Sequence, residues 1–449
     1  MLYVGRDGTR NLCPDLLKAS FYPIGNAYYD LSQASAINCV VTGRCPEGNV
    51  DVGVSARDAT IVGLGMTEMG KVYGRSSTRL AAEAVLHAVA DAGLQLSDVD
   101  GLLVSPGVTN DLGIGLSAVL GLHELAVLNE IKAFGASAGV MVAQAARAIA
   151  EGAASTVVCV FADTPLKPKE SAGASWLGAA NKRQKGTPAS GFTGWSLVSG
   201  AVNPNILYAL CARRHMERFG TSSTQLAEIA VAQRSWAARN PLAQLRNPIT
   251  VADHQESRWI ADPLHLLDCC LVSNGAVAVV VTSAERAVAL AQPPVHVWGY
   301  GQAHGPRRMH AGSEWGLVTP AARSGPQAMR MAGISVSDVD VAELYDCYTY
   351  TVLVTLEDYG FCAKGEGGEF VSDGRLAPGG ELACNTGGGQ LSSYYMWGFT
   401  PLSEAIIQAR GAGGDRQAPC NDVLIVSGNG GILEHHSTLV LSPHERSAA

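Results

Sequence analysis

A sequence motif that occurs twice, here called the repeated phrase, is the feature of this sequence that most constrains its fold. Residues 90–104 read ADAGLQLSDVDGLLV and residues 330–344 read RMAGISVSDVDVAEL, so the two stretches align without a gap. In each copy a segment with helical spacing leads to a Gly where a helix would end, because Gly adopts the left-handed conformation without a Cβ clash. A short apolar strand follows each Gly. The sequence therefore predicts an internally duplicated α/β fold; a helix-Gly-strand connector that arose twice is the alternative.

The two copies differ where their strands end. The first continues as SPGVTN from Ser105, whereas the second continues as YDCYT from Tyr345. Loops beyond the carboxyl ends of strands carry the chemistry in sheets of this kind. We therefore expect a functional site at the end of the second strand.

Composition and charge limit the classes of function. The chain has 449 residues, 51 of them Gly, and 47 % apolar residues, which suits two or three domains or one large duplicated enzyme unit. The net charge of −8 argues against nucleic acid as a partner. The basic run at 181–185 is interpreted as a solvated loop, with contact to a phosphate-bearing ligand as the alternative.

Cysteine usage and hydropathy indicate the compartment. The eleven cysteines lack metal-ligand spacing, which predicts no metal site and reduced thiols in a cytoplasmic protein. No apolar segment is long enough to span a bilayer, and no charged-then-apolar leader follows Met1, so we expect no membrane association.

The periodicity predicts three parts of the chain. Residues 1–55 lack sustained periodicity and are interpreted as an extension outside the main fold, either from an upstream start codon chosen in error or as a genuine accessory arm. Residues 56–292 form the first half, and residues 293–445 form the second. Residues 164–265 interrupt the first half with Gly, Ser, Pro and Trp, which indicates an inserted loop domain that covers a substrate.

The motifs in residues 58–442 resemble those of the thiolase superfamily. The turn FGASAG (residues 134–139, here called the elbow) matches the place of the thiolase acyl-accepting Cys, and that position falls at Ala136, with Ser137 as a helix cap. Thiolases have the motif Asn-Glu-Ala-Phe or His-Asp-Cys-Phe at the position where this chain has the run that begins at Tyr345. Their Gly-His-Pro corresponds to GGGQLSSYYMWG, which puts Tyr395 or Tyr394 in place of His. Their last catalytic Cys is replaced by SGNGG.

The resemblance extends to one branch of that superfamily. The motifs YDCY, GGGQ and YYMWG are similar to motifs of the steroid side-chain-cleaving aldolases. The resemblance implies a five-layer αβαβα fold of duplicated βαβαβ halves. It implies a carbon-carbon lyase that cleaves a β-hydroxyacyl-CoA steroid into a 17-keto steroid and propionyl-CoA. It also implies an acyl-CoA substrate, no metal or redox cofactor, a DUF35 OB-fold domain of a hydratase subunit as partner, and a homodimer core within a heterotetramer.

The motif positions suggest residue roles. Tyr345 is interpreted as the base for the substrate hydroxyl and Tyr395 as the acid, although their roles can be exchanged, and a strand-end aromatic that merely packs is the alternative for Tyr345. Tyr394 replaces Tyr395 if the register is off by one. Residues expected to support the site are Asp346, Cys347, Tyr348 and Tyr394. Residues expected to approach the thioester oxygen are Gly387, Gly388, Gly389, Asn429 and Gly430. His435 and His436 are expected to be structural.

Two other functions remain open at this point. The first is a thiolase or acyltransferase that uses Cys347 or Cys384, which predicts dependence on free CoA and inactivation by thiol alkylation. The second is a non-catalytic scaffold for the DUF35 or hydratase partner, in which substitution of the two tyrosines leaves the cellular role intact.

Overall fold

The computed structural model describes residues 2–4, 10–12, 59–175, 199–201, 203–305 and 314–446. The chain divides into two compact units, Met1–Gly53 and Val54–Ala449. In the first unit, β1 (Leu2–Val4) and β2 (Arg10–Leu12) pair as antiparallel strands. The rest of the expected extension at 1–55 and the basic run at 181–185 lie outside the described residues.

The second unit is built around ten hydrogen-bonded strands. These strands are β3 (Ala59–Met66), β4 (Gly101–Pro106), β5 (Val127–Glu130), β6 (Thr156–Asp163), β9 (Gly275–Ser283), β10 (Val295–His304), β11 (Val341–Glu343), β12 (Ala383–Cys384), β13 (Leu424–Gly430) and β14 (His435–Ser442). A separate antiparallel hairpin joins β7 (Trp259–Ala261) and β8 (Leu264–His265).

The strand order is a mirror image about its centre, β12-β11-β13-β14-β10-β3-β9-β6-β4-β5. Read outward from the middle, β3 corresponds to β10, β9 to β14, β6 to β13, β4 to β11 and β5 to β12. In each half four strands run in one direction, and one strand, β9 or β14, runs antiparallel to both of its neighbours within that half. The predicted duplication of the α/β fold is therefore confirmed.

Helices complete the layers. They are α1 (Ser77–Asp91), α2 (Leu116–Leu120), α3 (Ser137–Ala150), α4 (Pro204–Phe219), α5 (Ser223–Ala237), α6 (Val251–Glu256), α7 (Ala284–Ala287), α8 (Ala321–Ala332), α9 (Thr349–Tyr359), α10 (Gly367–Phe370) and α11 (Phe399–Ala409). Helix α3 contacts strands of both halves, as does α11, whereas α1 packs on strands of the first half and α8 on strands of the second. The two halves therefore enclose α3 and α11, which gives the predicted αβαβα arrangement. Within the described sheet, strands of the two halves pair directly through two residue pairs of β10 and β3, Val295 with Ile61 and His296 with Thr60.

The repeated phrase has a structural cause. Gly93 and Gly333 end α1 and α8 with φ of +73° and +70°, the left-handed conformation expected of a Gly after a helix. In the turns that follow, Asp100 accepts hydrogen bonds from the backbone N–H groups of Ser155 and Thr156 at the start of β6. Asp340 does the same for Asp422 and Val423, ahead of β13. The repeated phrase thus joins a helix to one strand, and its second Asp binds the backbone at the start of the neighbouring strand.

Helices of the inserted segment pack on the second half. Helix α4 begins after Asn203, whose side chain accepts a hydrogen bond from the Ile206 N–H, and ends at Gly220 with φ of +82°. Helix α5 contacts α9 and residues 389–393. The insertion therefore lies against the strand ends where the site is expected. No helix among the described residues is long and apolar enough to cross a membrane.

Candidate active site

Three adjacent parallel strands bring the candidate residues to one edge of the sheet. Strand β11 lies between β12 and β13, and all three run in the same direction. Tyr345 follows β11, the glycine-rich segment that leads to Tyr395 follows β12, and Asn429 lies near the end of β13. Segments that are far apart in the sequence therefore meet at the carboxyl ends of these strands.

The hydroxyl groups of Tyr345 and Tyr395 face each other at an O–O distance of 3.4 Å. Both side chains are buried, with exposed fractions of 4 % and 7 %. Burial raises the pKa of each phenol well above its ordinary value near 10. Either hydroxyl can donate to the other, so a proton can pass between them in either direction. The structure therefore brings together the two tyrosines named as candidate catalysts.

Tyr345 lies against the elbow. A Cβ placed on Gly135 would lie 2.1 Å from Cε2 of Tyr345 and 2.2 Å from the carbonyl oxygen of Asn429, so only Gly fits beneath the ring. The backbone N–H of Tyr345 donates to Ser427 Oγ at 2.8 Å. Ala136 is fully buried and carries no reactive atom at the position matched to the thiolase nucleophile.

Ser137 differs from its expected role. It is the first residue of α3, and its Oγ accepts from the N–H of Ala133 at 2.9 Å instead of capping an N–H of the helix. The hydroxyl closes the turn before the helix. It therefore stabilises the elbow itself.

Asp346 holds the loop that carries Tyr395. Its buried carboxylate accepts the backbone N–H groups of Gln390 at 2.9 Å and of Leu391 at 3.1 Å. A Cβ on Gly389, whose φ is +59°, would lie 2.1 Å from Asp346 Oδ2, so the backbone approaches the carboxylate as closely as Gly permits. Burial raises the pKa of Asp346 from 3.8 to about 6, against the opposing effect of these N–H donors. Asp346 therefore holds the backbone of this loop, and its support of the reaction stays a prediction.

Cys347 and Tyr348 face the inserted helix α4. The ring of Tyr348 lies 4.5 Å from that of Tyr208, centroid to centroid, and its hydroxyl donates to Asn205 Oδ1 at 2.5 Å. The Cys347 thiol is hydrogen-bonded with Tyr208 and Thr351, and burial raises its pKa to about 12. Burial also raises the pKa of Cys384 well above its ordinary value. Neither thiol is therefore activated as a nucleophile.

The side chains of Tyr394, His435 and His436 have partners other than the two catalytic candidates. The hydroxyl of Tyr394 pairs with Ser403 Oγ on α11 at 2.8 Å. His436 is buried against Ser324, with Nδ1 at 2.8 Å from Oγ, and burial lowers its pKa to about 3. The His435 ring stacks on Phe134, and its Nδ1 lies 3.2 Å from Nδ1 of His304.

The segments expected near the thioester oxygen are held by hydrogen bonds and close backbone contacts. In the glycine segment, Gly388 N–H donates to the carbonyl of Asn385, and Asn240 Nδ2 donates to the carbonyl of Gly387. The side chain of Asn429 donates to the Tyr208 hydroxyl at 2.9 Å, and a Cβ on Gly430 would lie 2.0 Å from the Ala133 carbonyl oxygen. The roles of these groups at a thioester stay predictions. Among the described residues, no group of three or more His, Cys, Asp or Glu side chains is arranged to hold a metal ion.

Sequence reasoning missed three residues of the site. Tyr208 lies in the middle of α4, Ser273 precedes β9 and accepts the Tyr395 N–H, and Gly135 supports the Tyr345 ring. Tyr208 and Ser273 belong to no motif in the chain, so their contacts become visible only in three dimensions. Gly135 carried a signal, because a Gly within a strand-to-helix turn often marks close approach by another group.

Comparisons with known proteins match this arrangement. Residues 59–285 match the model of the thiolase N-terminal domain, and residues 301–443 match that of the thiolase C-terminal domain-like family. A protein of Thermomonospora curvata named steroid side-chain-cleaving aldolase is 40% identical over 384 residues, covering 83% of this chain and 95% of that protein. A Mycobacterium tuberculosis protein named 17-hydroxy-3-oxo-4-pregnene-20-carboxyl-CoA lyase is 39% identical over 384 residues, covering 83% of this chain and 96% of that protein.

A solved structure gives the same relationship. The structure described as the Ltp2-ChsH2(DUF35) aldolase superposes with a TM-score of 0.76 at 38% identity, covering 87% of this chain and 98% of that one. With the lyase and aldolase relatives, it identifies this chain as a carbon-carbon lyase. Strand order, family models and relatives agree that the chain belongs to the thiolase superfamily, within the group that includes the steroid side-chain-cleaving aldolases.

Proposed function

We propose that the chain is a retro-aldolase that cleaves a β-hydroxyacyl-CoA steroid into a 17-keto steroid and propionyl-CoA. The observation that carries the proposal is the pair of buried tyrosine hydroxyls at 3.4 Å, placed beside an elbow that has Ala where a thiolase has its nucleophile. The names of the two 39–40% identical relatives support the substrate class.

The reaction needs a proton to move from the substrate hydroxyl to the α-carbon. Tyr345 accepts the proton of the β-hydroxyl, and the bond between the α- and β-carbons breaks as the β-oxygen becomes a ketone. The electron pair of that bond passes into the thioester as an enolate, and Tyr395 protonates the α-carbon. One proton leaves oxygen and one arrives at carbon, so the propionyl thioester and the ketone account for every atom of the substrate.

The tyrosines act as a relay. Because burial raises both pKa values, a standing phenolate is disfavoured at either residue. As Tyr345 accepts the substrate proton, its own proton passes to the Tyr395 oxygen, and the Tyr395 proton passes to carbon. Neither tyrosine then carries a full charge. The 3.4 Å separation is longer than an ordinary O–H···O bond, and the proposed relay requires it to shorten when the substrate binds.

The reaction needs no cofactor in this chain. It transfers protons and one electron pair within the substrate, so no redox step occurs, and CoA enters as part of the substrate. A thiolase mechanism through Cys347 is supported less well, because burial raises its pKa to about 12. A non-catalytic scaffold gives no reason for two tyrosine hydroxyls to meet at the strand ends.

Assembly follows the same kinship. We propose a DUF35 OB-fold domain of a hydratase subunit as the partner, as in the description of the similar structure. We also propose a homodimer core that pairs β5 across a twofold axis. In the part of the chain that the structure describes, β5 pairs with β4 on one side alone, and its residue Leu128 is exposed. Sedimentation of the chain with and without the DUF35 domain tests this assembly, and a monomer in the complex would refute the homodimer core.

The deciding experiment co-expresses the chain with a DUF35 domain, supplies the 17-hydroxy steroid thioester and follows propionyl-CoA without added free CoA. Product is expected, and Tyr345→Phe is expected to lower kcat by roughly 10²- to 10⁴-fold, the usual contribution of an acid-base group. Tyr394→Phe is the matched control, because it removes a neighbouring buried hydroxyl that pairs with Ser403. Product only in the presence of free CoA would instead indicate a cysteine thiolase, and an active Tyr345→Phe enzyme would refute the tyrosine chemistry.

A further inference from the structure

A short segment before β9 lies along both catalytic tyrosine segments. The N–H of Cys270 donates to the carbonyl of Cys347 at 3.1 Å, two residues beyond Tyr345. The N–H of Leu271 donates to the carbonyl of Gln390 at 2.9 Å. The N–H of Tyr395 then donates to Ser273 Oγ at 3.0 Å. Residues 270–273 of the first half therefore bond with the segments of the second half that carry the acid and the base.

The Ser273 oxygen is itself held in place. Its side chain is fully buried, and Gln244 Nε2 donates to the same Oγ at 3.0 Å. A hydroxyl oxygen has two lone pairs, so it accepts from Gln244 and from the Tyr395 backbone at once. The acceptor for the Tyr395 N–H is thus fixed from two directions.

The neighbours of Tyr395 are anchored elsewhere. Tyr394 pairs with Ser403 on α11, and the Met396 N–H donates to Thr400 Oγ1 on the same helix at 2.9 Å. These contacts belong to the second half, as does the bond from the Tyr345 N–H to Ser427. Ser273 connects the backbone of Tyr395 to the first half of the fold. The elbow of the same half supports the Tyr345 ring.

We propose that Ser273 is a positioning residue that sets the Tyr395 hydroxyl at its working distance from Tyr345. This inference rests on the proposed tyrosine reaction. Ser273 acts through the backbone of Tyr395 and takes no part in the proton transfer. Loss of its hydroxyl leaves the Tyr395 N–H without its acceptor and lets residues 394–396 move, which alters the distance between the two phenols.

The first test is kinetic. In the complex with the DUF35 domain, Ser273→Ala is expected to lower kcat for the 17-hydroxy steroid thioester by roughly 10- to 100-fold, because displacement of a reacting group by about 1 Å costs up to that much. KM is expected to stay within about threefold of the original value, since Ser273 does not contact substrate. Ser403→Ala is the matched control: it also removes a buried hydroxyl beside the loop, but one that contacts Tyr394, and it is expected to leave kcat nearly unchanged.

The second test is a double-mutant cycle in single-turnover measurements. If Ser273 acts through Tyr395, adding Ser273→Ala to Tyr395→Phe is expected to cost less than about threefold more. A purely structural residue would cost as much in both backgrounds, and this outcome would overturn the inference. Ser273→Cys keeps the size of the side chain and weakens only the acceptor, so it serves if Ser273→Ala does not fold.

The outcomes separate the two proposals. If Tyr395→Phe abolishes turnover while Ser273→Ala and Ser273→Cys are fully active, the positioning role fails and the tyrosine reaction stands. If Tyr395→Phe itself is fully active, the tyrosine reaction fails, and the positioning role fails with it.

Discussion

Replacing Gly135 with Ala tests the contact between the elbow and the candidate base. The new Cβ would lie 2.1 Å from Cε2 and 2.4 Å from Cζ of Tyr345, so the ring has to retreat by about 1.3 Å to reach ordinary contact at 3.4 Å. The other near atom is the carbonyl oxygen of Asn429, which is backbone and yields less easily. Overpacking of this kind costs about 1–3 kcal/mol of stability. A shift of the base by about 1 Å costs on the order of 10²-fold in kcat.

The assay is release of propionyl-CoA by the complex with the DUF35 domain, together with thermal unfolding of each variant. Gly115→Ala is the control, because a Cβ there meets nothing within 4 Å and the φ of −59° suits any residue. Gly135→Ala is expected to lower kcat about 10²-fold in the original enzyme and far less in a Tyr345→Phe background. A Gly135→Ala enzyme with unchanged kcat and an unchanged melting temperature would refute the proposed contact between elbow and base.

Two further predictions follow from the buried ionisable groups. Since burial raises the pKa of Asp346 from 3.8 to about 6, the folded state binds this proton more tightly than the unfolded state, so wild-type stability falls as pH rises through that window. The free energy of unfolding of wild type and of Asp346→Asn is measured in urea at about pH 4 and about pH 7.5. As pH rises, the difference between the two proteins is expected to change in favour of Asp346→Asn by up to about 3 kcal/mol, and a change of opposite sign would contradict this. Because burial raises the pKa of Cys347 to about 12, iodoacetamide at neutral pH is expected to label exposed Cys420 and leave activity intact. Activity lost in proportion to label at Cys347 would revive the thiolase mechanism.

The parts of the fold that sequence predicted well are those fixed by local chemistry. Gly93 and Gly333 reveal helix ends because the left-handed conformation after a helix favours Gly. Helices Pro204–Phe219 and Ser223–Ala237 likewise begin after the capping residues Asn203 and Ser222, a local signal that acts within a few residues. The repeated phrase predicted the duplication before any pairing of strands was known.

The candidate site was predictable only where it coincides with strand ends. Tyr345 follows a strand that the pattern locates, and a resemblance placed Tyr395 in the lost His position. The bond from Tyr395 to Ser273 joins residues 122 positions apart, and the contact of Tyr208 with Asn429 spans 221. No periodicity or composition encodes such contacts, because they depend on how the insertion and the two halves pack. Likewise, the reason for Gly at position 135 appears only when the Tyr345 ring is seen above it.

The short strand pairing between the two halves, β3 with β10, has a consequence for how such a protein changes over evolutionary time. Two residue pairs of β3 and β10 join the two halves of the sheet. The other contacts between the halves, among them the hydrogen bonds of residues 270–273 and the packing around α3 and α11, lie outside this strand pairing. A substitution in a packed contact usually costs a modest amount of stability, whereas a slipped register moves every side chain of a strand to the other face of the sheet. One copy can therefore exchange the residues at its strand ends while the other keeps its strands in place.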